Sequence, residues 1–342
     1  MSRKTALTLI TIAVLLSVTL FYGPHRASSQ VGVPEARTES LSTVLEVIAL
    51  VKTRHYFQPV STFDLFKGYV ATGTINGMLR HALDDPYTRH MDASSYENMM
   101  NVTTGIYGGI GLSVGIVDDR VTVISPMKGT PGERAGLRRG DKIVAIDGRD
   151  TTYMTLDEAV SLMRGPADTE VNLTIQRDDE IFQVHIVREL INVISVPEYY
   201  IIDEEYGIGY IQITNFSERT YDELVEALAE LDAQGQRALI IDLRFNPGGT
   251  LGSALQVADE FVGNAPLLYL EDKDGLRLPY MGRREGTREP MPMVVLINEA
   301  SASASEIVSG ALRDNGLAVL VGTTTFGKGL VQSLYPPSLI NI

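Results

Sequence analysis

Asn298-Glu-Ala-Ser-Ala-Ser303-Ala-Ser-Glu306-Ile307, followed by Phe326-Gly-Lys328-Gly-Leu-Val-Gln332, places a serine at the mouth of a helix and a lysine on the loop after the next expected strand, Leu317–Gly322. Such a pair can serve as nucleophile and base, because an apolar site disfavours the ammonium form of a lysine and leaves a neutral amine to take a proton. The simpler reading of Ser303-Ala-Ser-Glu306 is a capping box, in which serine and glutamate satisfy the free amides of a helix start. The two readings are compatible, since amides at a helix N-terminus can also receive an oxyanion. Between Ile191 and Ile342 there is no histidine, which excludes a Ser-His-Asp triad contained in that region. The chain has no cysteine, so a cysteine nucleophile, disulfides and thiolate metal sites are excluded too. Of the two lysines in this region, Lys273 sits in Glu-Asp-Lys-Asp-Gly, a hairpin turn, and Lys328 is the better candidate for a buried amine.

A third segment, Ile240-Ile-Asp-Leu-Arg-Phe-Asn246-Pro-Gly248-Gly249, is an apolar strand ending in a Pro-Gly-Gly turn. Read alone it is a tight turn; beside Ser303 its amides can complete an oxyanion hole. Together the three segments resemble the carboxyl-terminal processing peptidases, or tail-specific proteases, over about Val44 to Pro336. The resemblance implies a Ser303–Lys328 catalytic dyad, Gln332 orienting the lysine amine, and an oxyanion hole from the amides of Gly248 and Ala304, with either glycine of the pair open for that part. It also implies a protease core over residues 191–342 related to the crotonase and Clp protease folds; with no Walker-type phosphate loop, His-Glu-x-x-His zinc motif or dinucleotide fingerprint in the sequence, no cofactor and no metal are expected.

Residues 101–190 carry Tyr107-Gly-Gly109-Ile110-Gly111-Leu112, alternating Val121, Val123 and Ser125, and Ala135-Gly-Leu-Arg-Arg-Gly140-Asp-Lys-Ile. A short helix is expected from Leu156 to Arg164, then a half-buried strand with Val171, Leu173 and Ile175 inward. This module looks like a PDZ domain. Gly109, Ile110, Gly111 and Leu112 then match the loop that binds a peptide's terminal carboxylate while the peptide adds as a strand. Arg164 would couple that groove to the active site; its default reading is a solvated charge at a helix end.

Residues 31–100 read as mostly helical, with Leu45, Ile48, Ala49 and Val51 on one apolar face and helix-end and turn residues over Asp84–Asp92. Arg3 and Lys4 precede the uncharged run 6–22, so residues 1–30 read as a signal peptide or membrane anchor. The remainder is expected on the extracytoplasmic face of the membrane or in the periplasm. A net charge of −14 argues against nucleic acid and anionic lipid as partners.

The expected architecture is α/β multidomain: an N-terminal helical region, a β-rich PDZ domain with short helices, and a crotonase/Clp-protease-like α/β core. In the core, strands over Gly207–Phe216, Leu239–Arg244, Met293–Ile297 and Leu317–Gly322 alternate with helices, one of them lined by Tyr221, Leu224, Val225, Leu228 and Leu231 and another over Leu251–Val262. Because the resembling proteins run further beyond the glutamine motif, the C-terminal part of the core is expected to be missing. The expected substrates are proteins or peptides with free apolar C-termini, and homo-oligomers are compatible with the resemblance. An inactive peptide-binding scaffold and a crotonase-type acyl-CoA enzyme are the alternatives, the latter without any coenzyme A site in the sequence.

Overall fold

The computed structural model describes residues 40–57, 59–283 and 288–335. The expected leader, residues 1–30, and the residues after Tyr335 lie outside the described residues.

Among the described residues four helices come first: α1 (Leu41–Arg54), α2 (Thr62–Thr72), α3 (Ile75–Ala82) and α4 (Ala93–Thr104). Each opens on a side chain that accepts from the amide three residues on: Ser40, Ser61, Thr74 and Asp92, which satisfies donors a helix start leaves free. Val44, Ile48 and Val51 pack α1 against Leu65, Ile75 and Met78. The face expected through Leu45 is therefore rotated. Leu45 is 56% exposed, being one position off the stripe that Val44, Ile48 and Val51 trace at helical spacing.

The second unit holds β1 (Ile106–Gly109), β2 (Leu112–Val117), β3 (Arg120–Pro126), α5 (Pro131–Arg134), β4 (Lys142–Ile146), β5 (Arg149–Asp150), α6 (Leu156–Met163), β6 (Glu170–Arg177), β7 (Glu180–Val187) and β8 (Glu189–Asn192). Its antiparallel sheet runs β2-β3-β4-β6-β7, with β5 on β4. Val121, Val123, Val171, Leu173 and Ile175 alternate into its core, as strands buried on one face require. Asp141 lies buried against Arg177 at 2.7 Å. Burial works to raise its carboxyl, but the Arg177 hydrogen bonds outweigh that and hold it below the ordinary range. β1 pairs antiparallel with β8, Ile106 opposite Asn192, so the chain enters and leaves this unit side by side.

The third unit holds β9 (Glu198–Asp203), β10 (Ile208–Gln212), α7 (Thr220–Ala233), β11 (Ala238–Asp242), α8 (Leu251–Val262), β12 (Pro266–Glu271), β13 (Arg277–Met281), β14 (Met293–Ile297), α9 (Ala304–Asp314) and β15 (Ala318–Gly322). Its sheet is ordered β15-β14-β11-β10-β9. Strands β10, β11, β14 and β15 are parallel and β9 is antiparallel. α7 buries Leu224, Ala227, Leu228 and Leu231; Val225, expected with them, is on the outer side at 37% exposure. The strand expected through Phe216 stops at Gln212, because the chain lifts away so that Phe216 N donates to Gly248 O (3.0 Å) and Thr250 N donates to Phe216 O (2.8 Å). This departure fastens the Pro-Gly-Gly turn beside the carboxyl ends of β11 and β14, the end of a parallel sheet where sites form.

Candidate active site

Ser303 follows a turn clamped onto the end of β11. Asn298 Oδ1 accepts from Phe245 N (2.9 Å) and Ala300 N (3.2 Å), and Ser301 Oγ donates to Leu243 O (2.8 Å). The clamp holds Ser303 at φ 56°, ψ −112°, a conformation that residues with a Cβ adopt at a cost of about 1–3 kcal/mol and that concentrates at functional sites. Its side chain makes no capping hydrogen bond. The glutamate half of the expected capping box is formed: Ser303 N donates to Glu306 Oε2 at 2.7 Å.

The glycine turn packs directly on this serine. A Cβ built on Gly248 would stand 2.6 Å from Ala302 O, 2.9 Å from Ala304 N and 2.9 Å from Ser303 Cβ, and Gly248 has φ +98°. Only glycine fits both demands. Buried Asn246 holds the arrangement from below. Its Nδ2 donates to Ile213 O (2.8 Å), its backbone oxygen accepts from Ala302 N (3.1 Å) and Ser305 Oγ (2.9 Å), and its Oδ1 accepts from Gly248 N (2.8 Å). The Gly248 amide is thus engaged by Asn246. Among the described residues, the amides of Gly249 and Ala304 donate no hydrogen bond. At the end of β11, buried Asp242 accepts from Tyr210 Oη (2.8 Å) and pairs with Arg244 (2.6 Å). Burial, with Asp242 adding to it, pushes the Tyr210 phenol up to about 12.

Lys328 lies on the loop after β15 and is half-buried, on the side of an edge strand whose Val319 and Val321 face outward. The apolar enclosure expected for its amine is therefore only partly built by the described residues. Nζ donates to Gln332 Oε1 at 2.8 Å and lies 4.9 Å from the centre of the Tyr87 ring. Ser303 and Lys328 are not joined by a side-chain hydrogen bond; Glu306 joins their backbones instead. Its carboxylate accepts from Ser303 N, from Gly327 N (2.7 Å), from Lys328 N (2.9 Å) and from Thr325 Oγ1 (2.8 Å). Burial works to raise this carboxyl, but the Thr325 hydroxyl and the three amides outweigh it and hold it below the ordinary glutamate range. Phe326 N adds a bond to Ser301 O (3.0 Å). The sequence offered Glu306 only as a cap; that it also gathers the lysine loop depends on where β15 delivers the chain.

The expected peptide loop forms one wall of a groove. Tyr107, Ile110, Gly111, Leu112, Val160 and Arg164 line a cavity of about 50 Å³, and Gly109 ends β1 beside it. Ile110 and Gly111 lie between strands, and among the described residues their amides donate no hydrogen bond while their oxygens accept from Gly132 N and Met127 N. Free amides turned to a groove suit a carboxylate. Arg164 is more than a solvated helix-end charge: its guanidinium lies 4.7 Å from the Tyr107 ring centre, and Nη1 donates to Asn98 Oδ1 of α4 at 3.2 Å.

A parallel α/β sheet presenting a strained serine, free amides and a lysine loop at one end, with a peptide-groove module inserted ahead of it, defines a serine-peptidase architecture. Comparison with known proteins agrees. Residues 207–338 match Peptidase family S41, and residues 122–177 match the PDZ domain. A carboxyl-terminal-processing protease of Picosynechococcus sp. is 37% identical over 84% of this chain and 68% of its own length. One from Synechocystis sp. is 40% identical over 74% of this chain and 60% of its own length, and a carboxy-terminal processing protease of Bacillus subtilis is 34% identical over 95% and 68%. The solved photosystem II D1 C-terminal processing protease superposes with a TM-score of 0.52 at 28% identity, covering 86% of this chain and 84% of that one. The chain belongs to the carboxyl-terminal-processing serine proteases of peptidase family S41, and spans 60–68% of the length of these three relatives.

Proposed function

We propose that this chain is a Ser-Lys endopeptidase that recognises the free C-termini of exported or unfolded proteins in its PDZ groove and cleaves them at Ser303. Lys328 Nζ, as the neutral amine, takes the hydroxyl proton while Ser303 Oγ attacks the peptide carbonyl; the leaving amine takes a proton as the acyl-enzyme forms, and water then hydrolyses the ester. Gln332 orients the amine. Ala304 N and the Gly248–Gly249 turn receive the oxyanion, with the Gly249 amide the one free to donate as the turn stands. The observation that carries this reading is the Glu306 carboxylate, which binds the amides of Ser303, Gly327 and Lys328 at once and so holds nucleophile and base segments together. The lack of a Ser303–Lys328 side-chain hydrogen bond is compatible with this reading, since catalytic hydrogen bonds tighten with substrate bound.

The uncharged run after Arg3 and Lys4 supports export, with the enzyme on the extracytoplasmic side and the run itself as anchor or leader. Among the described residues no helix is long and apolar enough to cross a membrane. The test is cleavage of an unfolded protein with an apolar C-terminus by the parent, by Ser303→Ala and by Lys328→Ala. Loss in both variants is expected. Cleavage surviving in either one overturns the dyad, and a parent that binds the peptide without cutting it returns the scaffold reading.

A further inference from the structure

Tyr87 lies on the loop between α3 and α4, in the N-terminal helical region, yet it is the partner of the lysine loop. Its carbonyl oxygen accepts from Gln332 Nε2 at 3.0 Å, and its ring lies 4.9 Å from Lys328 Nζ. The carbonyl has a directional effect. A glutamine amide has one donating and one accepting end, and binding the donor end to Tyr87 turns Oε1 toward Nζ, where the 2.8 Å bond is made. The ring lies against the amine, 4.9 Å from its centre to Nζ, and limits where the end of the lysine can swing.

Tyr87 is itself held. Asp85 Oδ1 accepts from Tyr87 N (2.8 Å), and its Oδ2 accepts from the Thr88 hydroxyl and faces His55 Nε2 at 3.3 Å. His55 and Asp85 side chains are 8% and 6% exposed, and the other His55 nitrogen sits 2.9 Å from Phe57 O. Burial works to raise the Asp85 carboxyl, but the Thr88 hydroxyl, the Tyr87 amide and His55 outweigh it and keep it below the ordinary range. A second contact follows the same seam: the Arg54 guanidinium at the end of α1 lies 5.9 Å from the Tyr335 ring centre.

We infer that Tyr87, braced by Asp85 and His55, is a positioning residue for the Lys328–Gln332 pair, so that the N-terminal helical region completes the catalytic base. The inference rests on the Ser303–Lys328 reading above. Its consequence is that the chemical step, and not substrate capture, depends on a loop that does not line the PDZ groove.

The test compares the parent chain with Tyr87→Phe, Tyr87→Leu and Asp85→Ala, using a fluorogenic peptide with an apolar free C-terminus and hydrogen exchange over residues 323–335. Tyr87→Leu and Asp85→Ala are expected to lower kcat at least fivefold with KM within twofold of the parent, and Tyr87→Phe, which keeps the ring, to restore kcat. Exchange over 323–335 is expected to rise in Asp85→Ala while α8 is unchanged. A Tyr87→Leu enzyme with parental kcat, or one whose loss falls entirely in KM, overturns the inference, as does unchanged exchange in Asp85→Ala. A parent that cleaves nothing would instead sink the protease reading; the exchange arm then still decides whether Tyr87 and Asp85 brace the lysine loop.

Discussion

Replacing Glu306 by alanine should separate the two halves of the site without touching the side chain of Ser303 or of Lys328. Its carboxylate accepts four hydrogen bonds at 2.7–2.9 Å, three of them from backbone amides of Ser303, Gly327 and Lys328. A hydrogen bond to a charged group contributes roughly 1.5–3 kcal/mol when water is kept out. Glu306 is only partly buried and Gly327 is exposed, so water can replace much of what is lost, and the net cost comes to about 2–4 kcal/mol rather than the sum of four bonds. The kinetic loss should be larger than the stability loss suggests. A shift of about 1 Å between reacting groups costs on the order of a hundredfold in rate, and here the base segment loses its tie to the nucleophile segment. The assay pairs urea-denaturation midpoints with single-turnover cleavage, run for Glu306→Ala and for Glu306→Gln, which keeps an acceptor but loses the charge. The expected order of kcat is parent, Gln, Ala, with KM little changed. If Glu306→Ala cleaves within threefold of the parent, the carboxylate does not hold the dyad together and the account of the site is wrong.

Gly248→Ala should cost about 3 kcal/mol or more and depress kcat at least a hundredfold, from the left-handed φ and the 2.6 Å approach to Ala302 O; Gly275→Ala, at a φ of +81° but with nothing within 4 Å of its Cβ, is the control and should lose only about 1 kcal/mol. Stability against pH should be level above about pH 5 and fall below about pH 4. Asp85, Asp141 and Glu306 all have lowered folded values, so the stability they carry is present above their unfolded values and is lost as pH drops through the folded ones; urea midpoints from pH 3 to 8 check the sign. Arg188→Met should destabilise the PDZ unit by about 2–4 kcal/mol, because its buried guanidinium caps Leu162 O and Met163 O at the end of α6 and binds Glu170 O. Hydrogen exchange over residues 156–187 and weaker C-terminal peptide binding would report it, and an unchanged melting curve would count against that role.

The Ser303 turn and the Lys328 loop, which Glu306 joins, stood out in the sequence because their patterns are local: a serine before a helix and a lysine between glycines, with no histidine between Ile191 and Ile342. Elements with sharp edges, α8 and β14, were legible for the same reason. Two helix faces were misread by one position, at Leu45 and Val225, since the sequence shows which residues are apolar but not which of two adjacent ones the neighbouring layer meets. The end of β10 was overrun because its apolar pattern continues to Phe216, while the hydrogen bonds that draw the chain off the sheet come from Gly248 and Thr250 far downstream. Tyr87 lies in the segment Asp84–Asp92, which the sequence offered only as helix-end and turn residues. It meets Gln332 across a separation of 245 positions, and no local pattern reports a contact of that kind.

The pairing of β1 with β8 means that the peptide-groove unit begins and ends at one spot on the protease, with Ile106 facing Asn192 and Val193 N bonded to Gly105 O at 2.7 Å. A unit whose two ends meet can be removed, lengthened or exchanged without rerouting the chain on either side, the condition under which domain insertions are tolerated. Substrate choice and bond cleavage can therefore diverge independently in descent: one lineage can inherit the cutting machinery unchanged while replacing the reader plugged into it. The same geometry makes grafting of a foreign recognition unit between Gly105 and Val193 a natural engineering route.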